Sequence, residues 1–465
     1  MSIAFNVEQA IVACTPSRVK TAGDEKQVLH SRLSADHEPA STDDASDAPA
    51  EEFQEGGYGW VVVLAVFLLN AHTWGMNSSY AVFLAYYLRT DAIGGASAIA
   101  FAFIGAFLVS PFANICIRRR GTRTALLTGV FFETVAFVGA SFTKQMWQLL
   151  LAQGVAFGLG MGFIFVASVG VVPQWFVRRR SFANSLATAG SGFGGLTYSL
   201  ATNAMIRHMG LAWAFRTIAI VSCVVNLAST MMVRDRNRSV GAVHAAFDRT
   251  LFRRPEYYLL MSWGFFSLLS YTIIVFSLPD YAETVGGTAS QGSLVGALFN
   301  LSQGIGRPLI GLASDRVGRI NVAGLGTLVA GLAALFVWNF AGRYYGGLVV
   351  YSLLGGFAGI LWATVAPVTA EVVGIALLPS ALSVFWVVLA FPATFAEVIG
   401  LSLRTAGVGA YLHVQLFTGL CYIAAFLSMW LLRAWKLHQM DDSRQTTPFV
   451  SFLLKGKWAF VVERV

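Results

Sequence analysis

Arg118-Arg119-Arg120-Gly121-Thr122-Arg123 is a basic stretch wedged between apolar runs, and Gly311-Leu312-Ala313-Ser314-Asp315-Arg316-Val317-Gly318-Arg319 is another. Placing Gly121 on Gly318 puts Arg119 on Arg316, so the two stretches weakly echo each other. Outward from the first, apolar runs occupy 60–87, 94–116, 124–142, 147–172, 182–205 and 212–232. Around the second they occupy 258–279, 291–313, 321–340, 346–366, 378–401 and 410–432. A helix needs about 20 apolar residues to cross a bilayer, and each run is near that length. The spacing predicts twelve spanning helices in two sets of six, the kind of repeat on which transporters alternate access by rocking one half against the other. Positive charge in inner loops explains the basic stretches equally well when they are taken alone.

Composition points the same way. Hydrophobic residues make up 56% of the chain and charged residues 12%, where a soluble domain is about a quarter charged. Backbone exposed to lipid must satisfy its own hydrogen bonds, so the expected architecture is an all-α membrane protein. Residues 1–59 are different in kind: they hold 11 acids and four bases and show no apolar period. They read as a disordered, acidic cytoplasmic N-tail, without a cleaved signal. The expected organisation is this tail, a six-helix bundle at 60–232, a basic cytoplasmic central loop at 233–257, a second bundle at 258–432 and a cytoplasmic C-tail at 433–465. With the N-terminus inside, the inner loops and C-tail carry 21 Lys and Arg against five in the outer loops. That bias puts both termini in the cytoplasm. The net charge of +8 then belongs to loops facing anionic lipid, and nucleic acid is not an expected partner.

Several chemistries find no residues to carry them. Cys14, Cys116, Cys223 and Cys421 stand singly, so no metal site or disulfide framework is suggested. No GxxxxGK[ST] pattern occurs, so an ATP-driven pump and a nucleotide cofactor are not expected. The sequence reads as no enzyme, because a membrane-embedded one would need His, Asp or Cys clustered at helical spacing. No residue pattern bears on an ancillary membrane subunit.

Charges inside spans are the sharper clue, since one at mid-bilayer costs about 2.5–3.5 kcal/mol on insertion scales and faces a wet cavity or a partner. Arg307 lies about two-thirds along the eighth run, in Asn300-Leu301-Ser302-Gln303-Gly304-Ile305-Gly306-Arg307-Pro308, with Gln303 one turn earlier on the same face. A guanidinium there offers a bidentate grip on a carboxylate. The alternative is a structural pair with Glu133 or Glu397. Asn70, Asn77, Ser78 and Tyr80 in the first run, with Asn300 and Gln303, are candidate cavity-lining polar groups. Glu133 and Glu397 are candidates for proton coupling, because burial favours the protonated carboxyl. His72 and His413 are lone helical histidines. Arg216 is expected to snorkel to the outer interface. Gly154, Gly158 and Gly162, and the run Gly190 to Gly195, present smooth faces for close helix packing. Pro392 is expected to kink the eleventh run, and Pro448 to Val465 to lie on the inner interface.

The second basic stretch resembles the major facilitator superfamily loop motif GxxxDRxGR, carried by Gly311, Asp315, Arg316, Gly318 and Arg319. Glu55-Gly56-Gly57-Tyr58-Gly59-Trp60 is similar to the [DE]GG[WY]GW motif that leads into the first helix of the monocarboxylate-porter family within that superfamily. Trp175 to Ala187 resembles the same family's loop after the fourth span, and the acidic tail suits its fungal branch. The resemblance covers residues 55–435 and implies the major facilitator fold. It also implies substrate binding by Arg307, the arginine followed by a proline in the eighth span. Physically, the glycines let the chain bend at the interface, Tyr58 and Trp60 suit headgroup level, Asp315 and Arg316 can pair and cap a helix end, and Arg178 to Arg180 can hold lipid phosphate.

The sequence departs from that family at two places. Proton-coupled lactate carriers put an aspartate where Gln303 stands and a lysine where Ser78 stands. The expectation is therefore a secondary active transporter of a small organic solute, an organic acid or a larger secondary metabolite, working by alternating access in the plasma membrane, with protons as a possible second partner. Proton-coupled uptake of a short monocarboxylate, and a non-transporting nutrient sensor on the same fold, are the alternatives.

Overall fold

The computed structural model describes residues 55–77, 83, 106–341, 344–405, 409–440, 452–453 and 463, all within one unit, Glu55–Val465. Ser78, Tyr80 and the acidic N-tail up to residue 54 lie outside the described residues. Among the described residues every regular element is a helix.

The first half begins with α1, Gly59–Asn70, which runs on through a π-helical turn, Ala71–Gly75. Next come α2 (Ser110–Arg120), α3 (Thr122–Ala140) and α4 (Phe157–Val169, preceded by Met146–Leu149 and a π-helical Leu150–Ala156). The half closes with α5 (Arg180–Met209) and α6 (Leu211–Met232). The second half holds α7 (Pro255–Thr284), α8 (Ala289–Val317) and α9 (Arg319–Leu332, with a π-helical Ala333–Trp338). It ends with α10 (Tyr345–Ala358 and Ile360–Val373), α11 (Leu378–Ser402) and α12 (Leu412–Met440). Pro392 lies inside α11.

Eight described helices are long and apolar enough to cross a membrane. α5 and α8, of 30 and 29 residues, are long enough but too rich in Gly, Ser, Thr and Asn to qualify by hydropathy. Their position explains the composition. The two helices press on each other between the halves, where small and polar side chains serve better than leucine. At Gly192 an added Cβ would lie 2.5 Å from the Gly304 nitrogen, so this crossing admits only glycine. On the periphery the logic inverts. Phe112, Phe131, Leu200, Val224, Phe336 and Phe391 are large, apolar and exposed, which suits a hydrocarbon solvent and not water.

The echo between the two basic stretches has a backbone cause. Gly121 is the single residue between α2 and α3, at φ +87°, and Gly318 the single residue between α8 and α9, at φ +117°. Both ψ values are extended, a region essentially restricted to glycine. Each basic stretch is thus a one-residue reversal between adjacent spans.

The expected Asp315–Arg316 pair does not form. Asp315 accepts from the backbone N–H groups of Ser181 (3.0 Å) and Phe182 (2.8 Å), and lies 3.8 Å from Arg319, while Arg316 is exposed. The carboxylate therefore caps α5, a helix of the other half, where the N-terminal dipole and unpaired amides favour negative charge. Arg319 donates to Glu371 (2.6 Å) and to the Val177 carbonyl (2.8 Å), bridging the halves again.

The motif leading into α1 packs on protein. Glu55 accepts from the Arg179 amide (2.8 Å), Tyr58 donates to the Met232 carbonyl (2.9 Å), and the Trp60 ring meets Phe176 at 4.9 Å. An added Cβ on Gly59 would sit 3.0 Å from Trp175 Cβ, tighter than side chains ordinarily pack, and Gly56 and Gly57 take positive φ just before it. Arg180 likewise turns inward, donating to the carbonyls of Pro173 (3.2 Å) and Phe176 (2.9 Å), not outward to phosphate. Arg216 lies over the rings of Phe142 (4.9 Å) and Trp213 (5.1 Å) at the end of the bundle away from the arginine loops.

Candidate functional site

A cavity of about 590 Å³ opens between the halves. Its wall combines α1 (Asn70, Trp74, Asn77), α5 (Thr188, Ser191, Ser199, Asn203, Arg207), α7 (Tyr271, Thr272, Pro279) and α8 (Asn300, Gln303, Arg307), with Phe165 and Trp362 beneath. Every helix contributes from its inward face, so the site exists only where the halves meet.

Arg307 lies at the bottom, 4% exposed. One guanidinium nitrogen, Nη1, donates to the Thr188 carbonyl (2.7 Å) and to Ser191 Oγ (2.5 Å), both on α5 of the other half. Nη2 donates to Gln303 Oε1 (2.5 Å), the neighbour one turn earlier. Tyr271 donates to the same oxygen (3.1 Å). Gly359 makes room for this amide, since an added Cβ would sit 2.5 Å from Gln303 Oε1. The alternative pairings of Arg307 with Glu133 or Glu397 are absent: among the described residues no carboxylate lies within ion-pair distance of it. Its Nε, though buried, has no partner. The cation is thus held only by neutral oxygens, with the Nε–H and one Nη2–H unused. A buried cation balanced this way remains a strong attractor for an anion.

Below Arg307 the cavity ends in rings. Trp74 packs against Trp362 (5.1 Å) and Phe165 (5.1 Å), and Trp386 stacks on Trp362 (6.1 Å), meets Phe165 (4.8 Å) and stacks on Phe107 (5.9 Å). Three rings come from the first half and two from the second. Beneath this floor, polar bonds knit the halves: Ser110 Oγ to the Ser383 carbonyl (3.0 Å), Asn114 to Pro379 (3.4 Å), and Asn184 and Ser185 to the Ala363 carbonyl (3.0 and 3.2 Å). The caps on Asp315 and Arg319 complete the closure at the arginine-loop end. The opposite end of the cavity reaches Arg207 and Ser290, at the far ends of α5 and α8. All of these polar bonds between the halves lie at the level of Ser191 or closer to the arginine loops.

Of the polar residues singled out from the sequence, Asn70, Asn77, Asn300, Gln303 and Arg307 come together on this wall. Ser78 and Tyr80 lie outside the described residues. Glu133 and Glu397 do not join them. Glu133 is 1% exposed inside the first half, and Glu397 is half-buried in the last turns of α11. The aromatic floor, Tyr271 and the α5 hydroxyls were not legible beforehand. Thr188, Ser191 and Ser199 sit at helical spacing among the α5 glycines, and that spacing was the signal available.

Comparison with known proteins agrees with this fold. The profile of the Major Facilitator Superfamily matches residues 62–266 and 260–461. The chain is 31% identical over 399 residues to the probable transporter MCH2 of Saccharomyces cerevisiae, covering 82% of this chain and 84% of that protein. It is 26% identical over 394 residues to the fujikurins efflux protein of Gibberella fujikuroi, covering 82% and 84%. Among solved structures, the E. coli fucose:proton symporter FucP superposes with a TM-score of 0.64 at 16% identity, over 80% of this chain and 98% of that one. The proton:xylose symporter XylE gives 0.64 at 15%, over 80% and 95%. With the family profile matching both halves and the fold shared, this integral membrane protein is a secondary transporter of a small solute and belongs to the Major Facilitator Superfamily.

Proposed function

We propose that the solute is an amphipathic organic anion, bound by Arg307 and Gln303 above the aromatic floor, in a plasma-membrane carrier of the monocarboxylate-porter branch. The observation that carries this reading is the Arg307 guanidinium: buried, without a carboxylate among the described residues, and at the foot of a 590 Å³ cavity. A lone guanidinium suits a carboxylate. The walls suit an apolar or ring-bearing body, since Trp74, Trp362, Phe165 and Phe299 present faces to it. A cavity of this size also lies in the range of sites for drug-sized ligands, about 300–1,000 Å³, which favours a larger metabolite over a lactate-like acid.

The halves, 60–232 and 258–432, rock about this site with the loop at 233–257 joining them, and both termini face the cytoplasm. In that orientation the structure is open to the outside and closed at the cytoplasmic end. Asp315, Arg319 and the ring floor form the inner gate. Asn300, Asn77, Ser78 and Tyr80 complete the solute's polar contacts. The Glu55–Trp60 motif fixes the inner end of α1 against the loop at Trp175–Arg179, so that α1 moves as part of its half.

The test is uptake into proteoliposomes across a panel of aromatic, aliphatic and short carboxylates, each beside its neutral amide. The expected result is saturable flux of ring-bearing carboxylates that is lost in the amides and in Arg307→Gln. Flux of amides and acids alike would overturn the anion reading.

A further inference from the structure

We propose that Glu133 is a proton-binding site, separate from the solute cavity, and that its proton sets the register of the π-helical turn in α1 and with it the position of Trp74 in the cavity floor.

Glu133 stands mid-way along α3, 1% exposed. Its Oε2 accepts from Asn226 Nδ2 (2.9 Å) on α6 and from Thr73 Oγ1 (3.5 Å) on α1. Its Oε1 has no partner, and neither has the Asn226 side-chain oxygen, though both are buried. Two buried acceptors on a bonded pair of side chains are each left without a hydrogen. A proton on Oε1 supplies it, because a neutral carboxyl facing a primary amide can both accept from the nitrogen and donate to the oxygen. The charged form has no such compensation. Among the described residues no Lys, Arg or His nitrogen lies within ion-pair distance of Glu133, and an unpaired carboxylate in this setting is very costly.

Among the described residues the neighbouring helices bring no second acid. α4 brings backbone close: a Cβ on Gly160 would lie 2.6 Å from the Glu133 nitrogen, and α4 carries no titratable side chain. The π-helical lead into α4 brings only Gln153. On α6 the titratable groups are Cys223 and Arg216, the latter occupied by rings at the far end. α2 brings Cys116 and the arginines at its basic end. α1 and α5 bring His72 and Tyr198, which bond each other (2.6 Å). Glu133 is therefore the one acid of this pocket among the described residues.

The π-helical turn connects the pocket to the site. Ala71–Gly75 holds His72 on Tyr198, Thr73 on Glu133, and Trp74 in the floor against Trp362 and Phe165. Gly75 is pressed on α5, where an added Cβ would sit 2.6 Å from Gly194 Cα. Single π turns in α-helices are uncommon and recur at functional sites. Resolving one into α-helix shifts the downstream side chains by one residue, about 100° around the axis. Loss of the proton leaves a carboxylate that must draw in donors or water. The turn that carries Thr73 is the π-helical element in contact with the carboxylate, so a change of its register supplies them and carries Trp74 with it. The proton binds at Oε1 and leaves to water when the pocket opens.

This inference does not need the solute's identity, and its test does not use solute. Infrared difference spectra of the detergent-purified full chain, stepped from mildly acidic to mildly alkaline pH, should show a protonated-carboxyl band. The band should vanish in Glu133→Gln, persist in Glu397→Gln and shift in Asn226→Leu. Glu133→Gln keeps the acceptor for Asn226 and Thr73, so it should fold. A cysteine at Thr369, beneath the floor, should react with maleimide at a rate that varies severalfold over the same pH range, and at a flat rate in Glu133→Gln. A band that survives Glu133→Gln, or no protonated band in the wild type, would overturn the proton site. Equal pH dependence of the cysteine in both backgrounds would overturn its link to the gate. Absence of organic-anion flux would touch only the solute reading and leave these results standing.

Discussion

Replacing Asp315 by alanine should open the arginine-loop end of the protein, by an amount the geometry specifies. The carboxylate accepts from two amides at the start of α5, at 3.0 and 2.8 Å, from across the interface between the halves. It is only 10% exposed, so solvent screens it little. Hydrogen bonds to a charged group contribute about 1.5–3 kcal/mol net, and charge at a helix N-terminus adds up to about 1 kcal/mol at ordinary sites. These contacts exist only while the halves are closed at this end. Allowing for water taking over the freed amides, a loss of about 2–3 kcal/mol falls on the closed state alone. At 1.4 kcal/mol per factor of ten, that multiplies the population open at the arginine-loop end by about 30 to 140. Thr369→Cys is a suitable reporter. Thr369 is fully buried, its hydroxyl bonds nothing, and it lies two turns below Trp362 on the same helix face. While the open form is rare, its maleimide labelling rate tracks that population and should rise by the same factor in Asp315→Ala. An unchanged rate in a folded variant would mean that the closed end does not depend on this cap, and the gate assigned to it would be wrong.

Gly318→Ala must hold a side chain at φ +117°, which costs about 1–3 kcal/mol, so its thermal midpoint should fall, and Gly121→Ala should fall comparably. Trp362→Ala removes the ring that touches Trp74, Phe165, Trp386 and Tyr271, so a cysteine at Thr369 should become reactive to an impermeant reagent added from the cavity side, while the wild-type floor keeps it protected. His244 lies in the central loop, whose neighbours bond α11 and the loop before it through Ser380 (2.6 Å), Ser383 (3.1 Å) and Ala376 (2.8 Å). Burial holds its imidazole below the ordinary 6.5. A depressed histidine stabilises the folded state fully above that ordinary value and less as the pH falls through it. The thermal midpoint should therefore drop as the pH falls below about 6.5, and His244→Gln should drop less.

What could be read from the sequence and what could not divide along physical lines. Apolar length and loop charge are one-dimensional properties, so α3, α6, α7 and α9 stand where long hydrophobic runs do. The Gly121–Gly318 echo was readable for the same reason, since a one-residue reversal demands glycine at a fixed place. Arg307 with Gln303 was readable because a charge in a span, one helical turn from an amide, is a local pattern. The partners of Arg307 were not, because Thr188 and Ser191 lie more than a hundred residues away and are met only when α5 and α8 cross. Asp315 misled for the same reason: its neighbour Arg316 is adjacent in sequence, but the dipole and amides of α5 reach it in space. The tryptophan floor assembles from α1, α4, α10 and α11 and its neighbours, and no single stretch announces it.

The central claim is that Arg307 grips the anionic group of the transported solute. The most direct measurement is concentration-dependent uptake of ring-bearing carboxylates into proteoliposomes by wild type, Arg307→Lys and Arg307→Gln, with the Asn203→Cys labelling rate as a check that the cavity persists. The account predicts saturable carboxylate flux in the wild type, a raised KM in Arg307→Lys where the bidentate grip is lost, and no saturable flux in Arg307→Gln despite a labelled cavity. Saturable carboxylate uptake by Arg307→Gln with an unchanged KM would contradict it.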